Sequence, residues 1–205
     1  MEVIEIRAFA FSELEEISFQ RGSRLKEIER WGFYKSALKS FVAPPSLRLL
    51  RDSAFSECES LRYAELNEGL EVLGTERNVV GVFCFSALER VRLPSTLRRI
   101  EKYAFRNCPN LSDVQLPEGL EYIGEDCLAG TAVRRITLPP RLRKTNFARH
   151  TQCKVTMYAR EDSALAHRLV PGVVTLPSAR TKVGTMLLGE LQSVRHLVIP
   201  EGVKV

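Results

Sequence analysis

Leu111-Ser112-Asp113-Val114-Gln115-Leu116-Pro117-Glu118-Gly119-Leu120-Glu121-Tyr122-Ile123-Gly124 decides the reading of the chain. Its first half alternates. In an extended strand Val114 and Leu116 point one way, while Asp113 and Gln115 point the other. Pro117 cannot donate to a strand ladder and presets a turn, so the strand ends there. The chain then turns, places Leu120 and Ile123 inside, and turns again.

The same pattern recurs at Leu61 to Leu73, Leu88 to Ile100 and Val133 to Thr145. The last apolar residues of the short strands are Phe19, Ala43, Leu66, Leu93, Leu116, Leu138, Met157, Leu176 and Ile199. Their spacings are 24, 23, 27, 23, 22, 19, 19 and 23 residues. A period of this length, held along the whole chain, is the mark of a repeat architecture. Phe9, Phe33, Phe55, Phe83, Phe105, Leu128 and Leu188 each precede a strand end by 10 or 11 residues. Five residues before most of them stands Ile4, Ile28, Leu50, Ile100, Ile123 or Val183. Before Phe83 the gap from Leu73 is ten, which places a five-residue insertion within Gly74 to Gly81 and accounts for the long repeat of 27.

One such coil buries five or six apolar side chains, each worth roughly 1.5–3 kcal/mol. That does not offset the entropy of ordering its residues, so coils are stable only when stacked. The predicted fold is a leucine-rich-repeat solenoid. It has one parallel sheet of short strands, with turns and short helical segments on the other face. Adjacent strands should rise by about 4.8 Å per coil, and the phenylalanines should form the core column.

The pattern resembles the BspA-like leucine-rich repeats. The residues that carry the resemblance are Ile100-Glu101-Lys102-Tyr103-Ala104-Phe105-Arg106-Asn107-Cys108 and Ser53-Ala54-Phe55-Ser56-Glu57-Cys58, with the Leu-Pro strand ends. The resemblance covers nearly the whole chain. It implies a right-handed solenoid used for binding, with no common ligand and no known activity. It also implies a surface or secreted location and an adhesive role, as in many bacterial and protist members.

The chain departs from the pattern near His150, where the phenylalanine slot is empty of any such residue. Ala164, Leu165 and Leu169 at helical spacing read instead as a short helix capped by Asp162 or Ser163. The expected organisation is a repeat array over 1–157, a helical insertion closing that array over 158–172, and further repeats over 173–205, cut off mid-repeat. Both ends fall inside a repeat, which suggests a trimmed piece or an end covered by a partner. Met1-Glu2-Val3-Ile4-Glu5 has no signal-peptide pattern, so the chain reads as intracellular or as cut from a longer one.

The chain has 205 residues, 44% hydrophobic and 27% charged, with a net charge of +5 and the two signs interspersed. No apolar run approaches the roughly 18 residues of a membrane span, so no membrane insertion is expected. Nucleic-acid binding needs a coherent basic stripe, and Asp113 interrupts Arg90, Arg92 and Arg135. No nucleic-acid partner is expected.

Candidate chemistry is sparse. Cys58, Cys84, Cys108, Cys127 and Cys153 include no Cys-x-x-Cys pair and read as free thiols. Cys58 and Cys108 share a slot two coils apart, about 10 Å, beyond the Cα reach of a disulfide. His150 and Cys153 offer two ligands where a metal takes three or four, so no metal is expected. Ser163 and His167 lack an acid with a forced position. No nucleophile elbow or phosphate loop is present, and neither cofactor nor catalytic residue is expected. Trp31 and Tyr34 read as packing on the turn face.

The outward strand residues remain. A column of them makes a rigid, preorganised surface, and Tyr and Arg are enriched at interface centres. The candidate binding patch is Tyr63, Glu65, Arg90, Arg92, Asp113, Gln115 and Arg135. Its expected ligand is a protein of unspecified identity. The alternative is a structural spacer or a segment that associates with itself through uncapped ends.

Overall fold

The computed structural model describes residues 2–76, 80–139 and 141–142 in full, with the backbone of the strands at 144–145, 154–157, 173–175 and 196–198. It is a solenoid of parallel strands. The outward-strand slots form β3 (Ser40–Val42), β5 (Tyr63–Glu65), β7 (Arg90–Arg92), β10 (Arg135–Leu138), β12 (Lys154–Met157), β13 (Val173–Thr175) and β14 (His196–Val198). They run as two parallel ladders, β3-β5-β7 and β10-β12-β13-β14. The register Phe41–Ala64–Val91 points inward and continues, slot for slot, at Val114 and Ile136. Phe41 beside Ala64 matches a large side chain to a small one.

A third parallel ladder, absent from the sequence-based expectation, runs along another side. It joins β1 (Val3–Ile4), β2 (Glu27–Ile28), β4 (Leu49–Leu50), β6 (Val72–Leu73), β8 (Arg99–Ile100), β9 (Tyr122–Ile123) and β11 (Lys144–Thr145). Each strand has two residues, and from β1 to β9 the second is buried. The pairs Leu50–Leu73 and Leu73–Ile100 keep the isoleucine slot in register. The insertion therefore lies between Leu73 and Phe83. Its start is tied down by Asp52, whose carboxylate accepts from the Thr75 N–H at 3.0 Å and the Thr75 hydroxyl at 2.7 Å.

The expected short helical segments are not found: among the described residues there is no helix. The third side is built of turns. Two residues before the phenylalanine slot, Arg7, Trp31, Ser53, Tyr103 and Asp126 have φ of 50–62°. Two residues after it, Phe11, Lys35, Glu57, Phe85 and Asn107 do the same, with φ of 54–60°. A left-handed residue on both sides of the Phe9, Phe33, Phe55, Phe105 and Leu128 slots, and after the Phe83 slot, breaks any helical run before it completes two turns. Hydrogen bonds to the next coil hold this backbone. Phe33 N–H donates to Ala54 O at 2.8 Å, Phe83 N–H to Ala104 O at 2.9 Å and Asn107 N–H to Ala129 O at 2.7 Å.

The prolines act at the corner between strand face and isoleucine ladder. Leu47, Leu97, Leu120 and Leu142 N–H donate to the carbonyls of Pro44, Pro94, Pro117 and Pro139 at 3.0–3.2 Å, closing a turn at each. Inside, the phenylalanine column is continuous. Ring centroids lie 5.1 Å apart from Phe9 to Phe33 and from Phe33 to Phe55, 5.3 Å from Phe55 to Phe83 and 5.7 Å from Phe83 to Phe105. Phe33, Phe55, Phe83 and Phe105 are fully buried.

Beside that column runs a line of small polar groups three residues after each phenylalanine slot: Ser12, Ser36, Cys58, Ser86, Cys108 and Thr131. Cys58 Sγ donates to Phe33 O at 2.9 Å and Cys108 Sγ to Phe83 O at 3.0 Å. Each thiol also lies near the preceding serine, at 3.6 Å from Ser36 Oγ and 3.4 Å from Ser86 Oγ. The thiol is thus a buried donor that satisfies a turn carbonyl. The expected helical insertion at 158–172 lies outside the described residues, as do His150, Cys153, Ser163 and His167.

Candidate functional site

The strand face takes its geometry from the β3-β5-β7 register. Ser40, Tyr63 and Arg90 stand in one outward row, and Val42, Glu65 and Arg92 in the next. A single parallel bridge between Arg90 and Asp113 extends the first row by one coil. Five of the seven candidate residues, Tyr63, Glu65, Arg90, Arg92 and Asp113, thus fall on one continuous surface. Gln115, exposed, follows Asp113 beyond that bridge. Arg135, also exposed, begins the next ladder, where it pairs with Lys154.

The local chemistry is that of a pre-set polar cluster. Tyr63 Oη donates to Glu65 Oε2 at 2.7 Å, and Arg92 Nη1 reaches Glu65 Oε1 at 3.4 Å. The Glu65 acceptor holds the Tyr63 phenol above its ordinary pKa, with partial burial adding to the effect. Tyr63 and Glu65 are half-buried, whereas the Arg92 side chain is 73% exposed. An ion pair this open is worth at most about 1 kcal/mol, so Arg92 is not committed to it. Arg90 and Arg135 make no ion pair among the described residues.

The turn face is more self-contained. The Arg7 and Arg30 guanidinium carbons lie 4.7 and 5.4 Å from the centre of the Trp31 ring. Tyr34 Oη donates to Glu57 Oε1 at 2.7 Å and its ring meets Phe11 edge-on. Both aromatics are half-buried packing elements. Phe11 and Phe85 are over half exposed on this side.

The cysteines offer no reactive centre among the described residues. Cys58, Cys84, Cys108 and Cys127 are buried free thiols. Burial pushes Cys108 up to about 11 and Cys84 to about 12, and raises Cys58 and Cys127 as well. No group of three or more His, Cys, Asp or Glu able to hold a metal occurs among the described residues. No helix long and apolar enough to cross a membrane occurs among the described residues.

Sequence reasoning missed two arginines at the foot of the strand face. Arg98 and Arg141 stand with Arg92 around a groove at the proline corner. A signal for Arg98 was present: Arg48 and Arg98 occupy the same slot, each just after the buried leucine of a proline turn. Both guanidiniums turn onto main-chain carbonyls, Arg48 onto Pro45 and Leu47, and Arg98 onto Gly119.

A family model described as BspA type leucine rich repeat region, with six copies, matches residues 1–77 and 80–156. No curated protein matches the chain in sequence. Among solved structures, a leucine-rich repeat protein from Bacteroides ovatus is similar with a TM-score of 0.61 and 22% identity. The match covers 88% of this chain and 48% of that one, so the chain spans about half the length of that protein. The pneumococcal vaccine antigen PcpA is similar with a TM-score of 0.56 and 15% identity, over 98% of this chain and 66% of that one. At these identities the likeness is one of fold.

Proposed function

The chain belongs to the BspA-type leucine-rich-repeat family, and from that premise we propose that it is a non-enzymatic protein-binding scaffold whose partner rests on the outward strand face. Repeat folds of this family are generally scaffolds for protein interaction or adhesion. The finer reading puts the contact at Tyr63, Arg90, Arg92 and Arg135, with Glu65, Asp113 and Gln115 between them. An adhesive segment of a longer surface protein is the setting that fits this role.

One observation carries the reading: the paired register that sets Tyr63 beside Arg90 and Glu65 beside Arg92. Strand residues have fixed directions, so these side chains lose little freedom when a partner docks. The set spans three strand intervals, about 14 Å, the size of the centre of an ordinary interface. Arg90 and Arg92 are exposed and support no core contact, so their removal should spare folding.

The test is recovery of a partner from an extract of the source organism by the parent and by Arg90→Ala/Arg92→Ala. Circular dichroism should be the same for both. The variant should bind on the order of tenfold more weakly. Equal recovery of the same partner by both proteins would place binding on another surface.

A further inference from the structure

The ladder of the strand face opens between β7 and β10. Ala43 N–H donates to Glu65 O at 2.8 Å, and Leu66 N–H to Arg92 O at 3.0 Å. The next two bonds of that series, from Leu93 N–H to Gln115 O and from Leu116 N–H to Thr137 O, are absent, and the only strand pairing left between β7 and β10 among the described residues is the Arg90–Asp113 bridge. The side chains respond. Leu93 and Leu116 are half-buried, whereas Ala43, Leu66 and Leu138 in the same column are buried. A groove forms where the ladder opens, lined by Leu93, Leu116 and Pro117 and by Arg92, Arg98 and Arg141.

We propose that this groove receives an extended acidic segment of the protein partner, one that alternates apolar and carboxylate side chains. The inference rests on the strand-face reading and deepens it by giving the chemistry of the partner. Three features point to that occupant. Leu93, Leu116 and Pro117 in its lining suit alternate side chains of an extended chain. Leu93 N–H and Gln115 O lack a ladder partner among the described residues, and a second backbone supplies both a donor and an acceptor. Three arginines line it. Arg141 has no ion pair among the described residues, Arg92 keeps only its loose contact with Glu65, and Arg98 rests on a neutral carbonyl.

Of the two carboxylates at the groove, Glu68 is already engaged. It accepts from the Ser95 N–H and hydroxyl at 3.0 and 2.9 Å and from the Thr96 N–H at 3.3 Å. Glu118 is exposed. A sulfated or phosphorylated polymer would satisfy the arginines and leave Leu93 and Leu116 wet, so a peptide fits better.

The probe is a fluorescein-labelled peptide of alternating glutamate and leucine, with its lysine–leucine counterpart as control and heparin as a rival ligand. Fluorescence anisotropy is read for the parent, for the groove variant Arg98→Gln/Arg141→Glu, and for the face variant Arg90→Ala/Arg92→Ala. Thermal midpoints by circular dichroism check that each is folded. The glutamate peptide should bind the parent and weaken by about tenfold or more in the groove variant, with binding that fades as salt rises. Three results would overturn the proposal: equal binding of the lysine peptide, equal affinity in the groove variant, or heparin binding through Arg98 and Arg141 without peptide binding. Partner recovery by the groove variant, against its loss in the face variant, would discard the groove and leave the strand-face reading standing.

Discussion

Phe105 sits at the end of a stack in which its ring lies within 3° of parallel to Phe83. Removing it empties a site that the neighbouring coils cannot refill. Phe105→Ala should therefore cost about 3–5 kcal/mol, read as a lower urea midpoint at unchanged slope. An unchanged midpoint would remove Phe105 from the core. The thiols make a second prediction at this scale. The thiolate is the reactive form, and burial holds Cys108 and Cys84 at about 11 and 12. In a Cys153→Ser variant, a thiol reagent at pH 8 should titrate none of the four remaining cysteines until denaturant is added. Prompt reaction in the native protein would contradict the buried-donor role of Cys58 and Cys108. The phenylalanine column was legible because its residues are large and keep one spacing. The serine–cysteine column was legible only at Cys58 and Cys108, because a small polar residue in a turn looks alike whether it faces water or a buried carbonyl.

At the scale of the element, the outward strands were readable because alternation needs only three residues to show, as in Tyr63-Ala64-Glu65. The isoleucine ladder was not, because a strand of two residues such as Val72–Leu73 has no period. The turn side was hidden by residue type: left-handed backbone is normally announced by glycine, and here Lys35, Glu57, Tyr103 and Asn107 adopt it. Asn107 tests this directly. With φ at 55°, Asn107→Val should lose roughly 1–2 kcal/mol, while Asn107→Gly should stay near the parent in thermal melts. Equal effects would mean that the left-handed backbone there is not enforced. The same turns carry a pH response. Hydrogen bonding from Tyr34, aided by Lys35 and opposed by burial, holds the Glu57 carboxyl below its ordinary value. A depressed carboxylate stabilises the fold above its unfolded pKa, and that contribution is lost as pH falls through the folded value. Tyr34→Phe should flatten the fall in stability below about pH 4.5 relative to the parent. An identical slope in the two proteins would show that the Tyr34–Glu57 bond contributes nothing.

On the scale of the whole molecule, the stack turns a weak local motif into a rigid surface. Arg90 and Asp113 come from separate coils, yet one backbone bridge sets them side by side. The patch was legible as a column of outward slots. The opening between Leu93 and Gln115 was not, because it falls at Leu111 to Gly124, the most regular copy in the chain, and no side chain there accounts for it. The net charge of +5 is small, so long-range attraction to an acidic partner has to come from the local arginines and should be screened by physiological salt. The central claim is that a partner sits on the strand face. It is tested most directly by site-specific photocrosslinking in an extract of the source organism, with a benzophenone side chain placed in turn at Arg90, Arg92, Arg135, Lys35 and Phe85. The account predicts one shared adduct from positions 90, 92 and 135, and none of that species from positions 35 and 85 on the turn side. The same adduct appearing from positions 35 and 85 alone would contradict it.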